Sequence, residues 1–380
     1  MIDISFCERA EIPNLVEFIR DYWKKDHIFV RNPDFLQWHY DHRRFPGVPD
    51  GGLSFILARD SEGVIGVLGL NEVGFNVFGE KGTSVWPSIW YARPEYRRKF
   101  IGARLWQQVV KLRYSAICMI GMTPSVRPFF HSLGYEMLIN TPRWCGVLDP
   151  SRTEELLAEN PDSNASEIRT LVGSLTLKNV DDVRKSCSQK DLELLDWEDS
   201  ISDEWDSSWN ENFAPTMIGT DKPAEYLSWR YHHHPIFQYR LRLARTADRI
   251  NGLIVTRLET PRNRDETILR VVELLGEPAS LRVLAIDELR RARDKKALFA
   301  DFHGVSDRFA QPLEAIGFQK LDAEGSGALI PHRFQPLQFG QIPLTSAYHL
   351  AEEFRGRVPK LLECDDFQIS RADGDQDRPN

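Results

Sequence analysis

The chain contains one strongly basic segment, which reads Ala92-Arg93-Pro94-Glu95-Tyr96-Arg97-Arg98-Lys99-Phe100-Ile101-Gly102-Ala103-Arg104-Leu105. The residues before it, 85–91, are rich in β-branched and aromatic side chains and predict a strand. The residues after it, 102–114, carry apolar side chains at helical spacing and predict a helix. A turn at the start of a helix presents free backbone N–H groups at the positive end of the helix dipole. This segment therefore predicts a binding site for phosphate groups.

A basic turn alone is equally typical of a solvated helix start, so the elements around it decide between the two interpretations. Periodicity and turn residues predict the element order βααβββαβαβ in the first part of the chain. The predicted elements are a strand at 2–6, helices at 12–24 and 33–42, strands at 54–58, 64–70 and 85–91, a helix at 102–114, a strand at 116–121, a helix at 125–133 and a strand from 134.

The basic segment resembles the acyl-CoA pyrophosphate loop of the GNAT superfamily of N-acetyltransferases. In that family (Gln/Arg)-x-x-Gly-x-(Gly/Ala) follows a V-x-P-x-Y-R lead. Arg97 takes the first position of the motif and Gly102 the last, whereas Phe100 stands where the family has its first glycine. A second segment, 129–135, reads FFHSLGY and resembles the Y-x-x-x-G-F end of the family's fourth helix. The two motifs and the element order imply a GNAT domain over residues 1–148.

The second half of the chain repeats the first, since three patterns recur in the same order about 180 to 190 residues later. They are Leu36-x-Trp38-x-Tyr40-x-His42 with Leu227-x-Trp229-x-Tyr231-x-His233, Leu57-Ala58-Arg59 with Leu243-Ala244-Arg245, and Leu133-Gly134-Tyr135 with Ile316-Gly317-Phe318. The predicted fold class is α/β (α+β), with two tandem GNAT-like domains, each a mixed, mostly antiparallel sheet flanked by helices. The predicted divisions are a domain at 1–148 with the acyl-CoA site, a linker at 149–166, a degenerate domain at 167–345 and a polar C-terminal tail at 346–380.

The two copies differ at the turn between strand and helix. The second copy has Glu277, which would repel a pyrophosphate, and Pro278, which lacks a backbone N–H. We therefore expect one acyl-CoA site, in the first domain, with the second domain helping to form the acceptor pocket. The resemblance implies that CoA is bound by Trp90, Tyr91, Arg97, Arg98, Lys99, Phe100, Ile101, Gly102, Ala103 and Arg104.

Two catalytic groups that are common in GNAT enzymes are missing from this sequence. The strand before the loop often carries a carboxylate base, and the fourth helix often carries a tyrosine that protonates the leaving thiolate. By register Ser88 and Phe130 stand at these positions, so proximity and backbone polarisation are expected to supply much of the rate. Histidine has a suitable pKa to act as a replacement base. The candidate catalytic residues are Ser88, His27 and His39, and the candidate substrate-binding residues are Asp26, His42, Trp229 and Tyr231, although the two aromatic residues are more typical of a core.

Composition narrows the choice of partners and location. A net charge of -8 argues against nucleic acid and anionic membranes as partners. No run approaches the roughly 18 apolar residues of a membrane span, and the first residues do not read as a signal peptide. The five cysteines are scattered and odd in number, which favours a reducing cytoplasm over a disulfide framework or a zinc site. No metal is expected, since the consecutive histidines 232–234 point in different directions on a helix.

Two further segments narrow the resemblance to a subgroup. Residues 23–33 read WKKDHIFVRNP and residues 373–380 read DGDQDRPN. Both resemble two-domain acyltransferases of bacterial surface-polysaccharide (O-antigen) pathways, including enzymes that N-acylate dTDP-3-amino-3,6-dideoxyhexoses such as dTDP-3-aminofucose. This resemblance implies an N-acyltransferase that uses acetyl-CoA or another acyl-CoA and acts on the amine of a nucleotide-linked amino deoxysugar. It is compatible with a homodimer.

Two alternative functions stay open. One is a transferase of the peptidoglycan-bridge type that uses aminoacyl-tRNA, against which the acidic net charge and the CoA-like loop argue. The other is a CoA-binding scaffold without activity, which the serine at 88 and the phenylalanine at 130 suggest.

Overall fold

The computed structural model describes residues 2–41, 45, 47–177, 180, 192–247, 249–261, 263–322, 325–335, 337–339, 344–374 and 377. The described strands are β1 (Asp3–Cys7), β2 (Leu53–Asp60), β3 (Gly63–Val77), β4 (Glu80–Ala92), β5 (Ala116–Ile120), β6 (Glu136–Leu138), β7 (Arg143–Val147), β8 (Glu193–Asp196), β9 (Ile218–Thr220), β10 (Arg240–Thr246), β11 (Arg249–Glu259), β12 (Thr267–Gly276), β13 (Ala297–His303), β14 (Gln319–Lys320), β15 (Arg333–Phe334), β16 (Leu337–Gln338), β17 (Ser346–Leu350) and β18 (Phe367–Gln368).

The helices lie between these strands. They are α1 (Ile12–Phe18), α2 (Ile28–Arg31), α3 (Pro33–His39), α4 (Ile101–Lys111), α5 (Arg127–Ser132), α6 (Pro150–Leu157), α7 (Ala165–Leu175), α8 (Ser202–Ser208), α9 (Ala224–Leu227), α10 (Pro278–Asp294), α11 (Asp307–Glu314) and α12 (Glu352–Arg355). Within the described residues, we find no helix with the length and apolar character needed to cross a membrane.

The first sheet has nine strands, of which seven follow the order β1-β2-β3-β4-β5-β17-β6, while β9 pairs with both β3 and β18. Strands β1 to β4 pair antiparallel, and β4 pairs parallel with β5 through the crossover helix α4. Helix α4 buries its apolar residues against this sheet, among them Leu105 and Val109. The element order predicted for the first half is confirmed except for the short helix α2, which was not predicted and lies between α1 and α3.

The second sheet repeats this order as β8-β10-β11-β12-β13-β7-β14, with α10 as the crossover helix. The repeat extends to irregular details, because a π-helical turn occurs at Ile19–Trp23 in the first half and at Trp209–Phe213 in the second. The predicted fold class, two tandem copies with mixed, mostly antiparallel sheets flanked by helices, is confirmed.

The two halves exchange strands, and the second half also adds β9 and β18 to the first sheet, where β9 pairs with β3. β7 comes from the first half but pairs with β13 and β14 in the second sheet. β17 comes from the end of the chain but pairs with β5 and β6 in the first sheet. The predicted divisions at 148 and 346 therefore do not coincide with the sheets. Both strands are short and almost entirely buried, so their side-chain patterns do not indicate which sheet they join.

The segments predicted as linker and tail also carry ordered structure. In 149–166, the Asp149 carboxylate accepts a hydrogen bond from the Arg152 N–H at 3.1 Å and caps α6, which buries Leu156 and Leu157. The predicted tail contributes β17 and a buried segment at 367–374, in which Ile369 is fully buried. Both segments are polar on average, but their few apolar residues are buried, and this burial stabilises ordered structure.

One apolar cluster connects the two halves. It includes residues of β3, β5, β11 and the C-terminal segment. The two copies of the Leu-x-Trp-x-Tyr pattern meet here, because the rings of Trp38 and Trp229 lie 5.3 Å apart at an angle of 33°. The halves are therefore joined by their cores as well as by the exchanged strands.

Candidate active site

The first sheet opens between β4 and β5. These strands pair only at Ser84 with Ala116 and at Val85 with Ile117, although β4 continues to Ala92 and β5 to Ile120. A cavity of about 400 Å³ occupies the opening. It is lined by Pro87, Ser88, Ile89 and Trp90 of β4, by residues 119–124, by Trp23, Trp106, Val126, Phe130 and Leu344, and by His332, Arg333 and Arg371 of the second half.

A β-bulge lies in the cavity wall. Val67 of β3 pairs with Tyr91 and Gly69 pairs with Ser88, so that two residues of β4 stand opposite one of β3. Ile89 adopts a φ of 45°, which is uncommon for a β-branched residue. A bulge interrupts the ladder and frees backbone groups that would otherwise pair with the neighbouring strand. At this place the freed groups are suited to polarise a thioester carbonyl.

Ser88 lies on the cavity wall and forms a short hydrogen bond. Its Oγ is 2.5 Å from the hydroxyl of Tyr40, which is buried at the end of α3. Tyr40 was missed among the candidate site residues, although a tyrosine recurs at the same place of the second repeat. There the Tyr231 hydroxyl donates to the Glu273 carboxylate at 2.6 Å. Glu273 is thus the second-copy counterpart of Ser88.

The basic loop follows directly after β4. A 3₁₀ turn spans Pro94–Lys99, Phe100 has a φ of 56°, and α4 begins at Ile101. Phe100 therefore occupies a left-handed position that suits glycine, which is the residue the GNAT motif has there. The residue is 73% exposed. The side chains of Arg97, Arg98 and Lys99 are also exposed.

Two contacts fix the loop. The Tyr96 hydroxyl donates to the Asp60 carboxylate at 2.5 Å, and this hydrogen bond raises the pKa of Tyr96 to about 12. The Trp90 indole N–H donates to the Gly102 carbonyl at 3.1 Å. Since Trp90 also lines the cavity, it connects the cavity to the start of α4.

The other predicted CoA-binding residues lie around this loop. The Arg97 guanidinium donates a hydrogen bond to the Tyr91 hydroxyl at 3.3 Å. Gly102, Ala103 and Arg104 are half-buried in the first turn of α4, whereas Ile101 is fully buried in the core. A Cβ at residue 102 would approach the Trp90 ring to 3.4 Å, an ordinary contact distance.

The candidate histidines lie away from this cavity wall. His27 is buried, and its Nδ1 accepts from the Phe29 N–H at 3.3 Å at the start of α2. His39 is also buried, with its ring 5.6 Å from that of Phe29. Neither is among the described residues that line the cavity. The structure therefore brings Ser88, and not these two histidines, to the opening of the sheet.

The predicted substrate-binding residues are likewise dispersed. Asp26 is exposed on the turn before α2, and His42 lies outside the described residues. Trp229 and Tyr231 are buried in the cluster that joins the halves. None of the three described residues lines the cavity.

The three consecutive histidines 232–234 of the second half do not share one environment. His232 and His233 converge on Asp199, with Nε2–Oδ1 distances of 3.9 and 3.7 Å, and all three are exposed. His234 is buried instead, and its Nδ1 accepts from the Phe237 N–H at 2.9 Å.

The corresponding place in the second sheet is occupied by the chain itself. Ser370 forms a bridge to Gly304 just after β13, and the Gln368 side-chain amide donates to the Leu274 carbonyl of β12 at 2.7 Å. The buried Lys222 ammonium lies 2.6 Å from both the Glu273 and the Asp373 carboxylates. Burial raises the pKa of Glu273.

Several solved structures share this fold. The GCN5-related N-acetyltransferase from Anabaena variabilis is 11% identical, with a TM-score of 0.53, and the match covers 92% of this chain and 73% of that one. The GCN5-related N-acetyltransferase from Kribbella flavida is 10% identical, with a TM-score of 0.54 and coverage of 93% and 72%. Saccharomyces cerevisiae N-myristoyltransferase with bound myristoyl-CoA and inhibitors is 11% identical, with a TM-score of 0.50 and coverage of 92% and 79%.

These likenesses define the class of fold. Two tandem GNAT-like sheets form the scaffold that the chain shares with these N-acetyltransferase structures. No protein-family model and no curated protein sequence matches the chain.

Proposed function

We propose that the protein is an acyl-CoA-dependent N-acyltransferase whose acyl donor lies across the opening between β4 and β5. The observation that carries this proposal is that the cavity and the basic loop adjoin, since Trp90 lines the one and is hydrogen-bonded to the other. A pyrophosphate at the start of α4 would leave the pantetheine arm directed into the cavity. Apolar walls at Trp106, Met119 and Phe130 suit the acyl chain.

The proposed reaction is a direct transfer within this cavity. The acceptor amine attacks the thioester carbon, the C–N bond forms, the C–S bond breaks, and the departing CoA thiolate takes up the proton that the amine loses. Backbone groups of the bulge at Ile89 polarise the carbonyl oxygen. The Ser88 hydroxyl, held by Tyr40, orients the amine or a water. Proximity supplies much of the rate, because no carboxylate occurs among the described lining residues.

The acceptor that we propose is the amine of a nucleotide-linked amino deoxysugar, with dTDP as the nucleotide. Two observations support it. Segments 23–33 and 373–380 resemble acyltransferases of bacterial polysaccharide pathways, and the wall of the cavity that the second half supplies is polar.

Titration calorimetry with acetyl-CoA tests the donor site. The double variant Arg97→Glu with Gly102→Trp is expected to bind acetyl-CoA at least about tenfold more weakly, a loss of about 1.4 kcal/mol. Arg357→Glu is the matched control, because Arg357 is equally exposed and pairs with Glu80. The control should bind as the unmodified protein does. An unmodified protein that does not bind acetyl-CoA contradicts the proposal.

Release of CoA thiol with a panel of dTDP- and UDP-linked amino sugars tests the acceptor. Thiol production that requires an amino sugar supports the proposal. Binding of acetyl-CoA without turnover on any amine indicates a CoA-binding scaffold. Transfer from aminoacyl-tRNA without acyl-CoA indicates a transferase of the peptidoglycan-bridge type.

A further inference from the structure

The cavity has one positively charged wall. Among its described lining residues, the two with a permanent charge are Arg333 and Arg371, and none is a carboxylate. His332 lies beside them on the same wall. All three come from the second half of the chain, whereas Pro87, Ser88, Ile89 and Trp90 of β4 come from the first. The second half therefore supplies the positive charge of the cavity lining.

Arg371 belongs to the segment 367–374, which fills the space beside β12 and β13 in the second sheet. The contacts of this segment hold Arg371 at the cavity. On one side of Arg371 Ser370 pairs with Gly304, and on the other the Ala372 carbonyl accepts from the Arg230 guanidinium at 2.9 Å. The Arg371 N–H itself donates to the His303 carbonyl at 3.3 Å. A side chain on a backbone fixed in this way loses little conformational freedom when it binds a ligand.

The same segment reaches the first sheet. A Cβ on Gly374 would lie 2.5 Å from the Ile120 side chain and 3.2 Å from the Trp86 ring, so the backbone there packs closely on β4 and β5. Since Trp86 and Ile120 flank the opening of the sheet, the position of Arg371 is fixed relative to both halves.

Further positive charges lie behind this wall. Arg143 and Arg270 both bind the buried Asp301 carboxylate, and Arg270 also donates to the His332 carbonyl at 3.0 Å. Burial, followed by the charges of Arg143 and Arg371, lowers the pKa of His332 to about 3. This imidazole is therefore neutral at pH 7, chiefly because it is buried.

We propose that Arg371 and Arg333, together with His332, bind the diphosphate of the acceptor. This inference rests on the proposed function and names the group by which that acceptor is recognised. Guanidinium groups bind phosphate oxygens with paired, charge-assisted hydrogen bonds. The amine of the sugar would then lie between this wall and the thioester at Ser88–Trp90.

Binding of dTDP to the full-length protein, saturated with CoA so that the basic loop is occupied, tests the inference. In calorimetry the unmodified protein is expected to bind dTDP, and Arg371→Gln to bind it at least tenfold more weakly. Arg333→Gln should weaken binding several-fold. Arg357→Gln removes an exposed arginine and should bind dTDP unchanged. In turnover assays Arg371→Gln should raise KM for the nucleotide sugar and leave KM for acetyl-CoA within twofold.

The outcomes separate this inference from the proposed function. Equal binding of dTDP by the unmodified protein and by both arginine variants contradicts the inference, as does an unmodified protein that binds CoA but not dTDP. If the protein binds glycine or aspartate instead of dTDP, and this binding depends on Arg371, then the wall recognises a carboxylate. That outcome contradicts the inference that it binds a diphosphate. Absence of acetyl-CoA binding contradicts the proposed function instead. Thermal unfolding of each variant distinguishes a lost contact from a lost fold.

Discussion

The two copies use the same place in the fold in opposite ways. In the first, β4 and β5 separate after two paired positions and leave a cavity. In the second, the pairing of β12 with β13 reaches Val271 and Phe302, and residues 367–374 fill the space beyond. The side chains follow this division, since the first cleft has Ser88 where the second has Glu273 bound to Lys222. One copy of a duplicated cleft can thus become a docking site for another segment of the same chain.

The largest expected effect on stability comes from removing the buried cation that pairs with two carboxylates in the second half. Lys222→Met leaves the buried carboxylates of Glu273 and Asp373 without their cation, and we expect it to lower the free energy of unfolding by about 3–5 kcal/mol. Urea denaturation measures this loss. Lys81→Met is the control, because its pair with Asp221 is exposed and should contribute no more than about 1 kcal/mol. Similar losses in both variants would mean that the second cleft is not held by Lys222.

The second prediction concerns the positive wall. The pKa of His332 is about 3 in the folded protein against 6.5 in an unfolded chain. Between these values the unfolded state binds the proton and the folded state does not, so this group makes stability fall as the pH falls from 6.5 towards 3. Its contribution to the slope is at most about 1.4 kcal/mol per pH unit. Denaturation at pH 7, 6 and 5 should show a slope that is flatter by this amount in His332→Gln. An unchanged slope would contradict a buried, neutral His332 in the folded protein.

A matched pair of glycines compares how tightly each crossover helix packs. A Cβ on Gly66 would lie 2.8 Å from the Ile101 Cγ2 of α4, whereas one on the equivalent Gly252 would lie 3.4 Å from the Leu281 side chain of α10. Because Ile101 is β-branched and cannot rotate away easily, Gly66→Ala should cost about 1–3 kcal/mol. Gly252→Ala should cost less than about 1 kcal/mol. Thermal or urea unfolding checks the order, and equal costs would show that the two helices pack alike.

The smallest effect is expected at the basic loop. Phe100→Gly removes the cost of a left-handed backbone and should stabilise the protein by about 1 kcal/mol. It should also tighten acetyl-CoA binding, since the phosphates can approach the backbone more closely. Lys296→Gly, at a φ of 59° after α10, should stabilise similarly without changing acetyl-CoA affinity. A destabilised Phe100→Gly would mean that the exposed ring makes a contribution of its own.

The sequence was sufficient for those features that depend on nearby residues. Element order, the turn at 93–101 and the repeat follow from periodicity and motifs that lie within a few residues. The exchanged strands could not be predicted, because β7 and β17 are short, buried and of the same type, and either would satisfy the open edge of either sheet. The boundary between the halves was missed for the same reason.

The residues that line the cavity were predictable from the sequence only along β4. Register placed Ser88 and Trp90 on the strand before the loop, and both line the cavity. The choice of His27 and His39 depended on residue type, which says nothing about position. Tyr40 has the pattern of a core residue and is one, yet its hydroxyl reaches Ser88. Arg371 lies in a stretch whose composition is typical of a disordered end.

The exchange of β7 and β17 also sets the order in which the chain can fold during synthesis. The neighbours of Met119 in the finished sheet include Ala347, so β5 keeps one unpaired edge until residue 350 has left the ribosome. Until then the first sheet is open at β5, and an unpaired strand edge beside apolar residues is prone to association. Closure of the first sheet therefore has to wait for the synthesis of β17, more than 200 residues after β5.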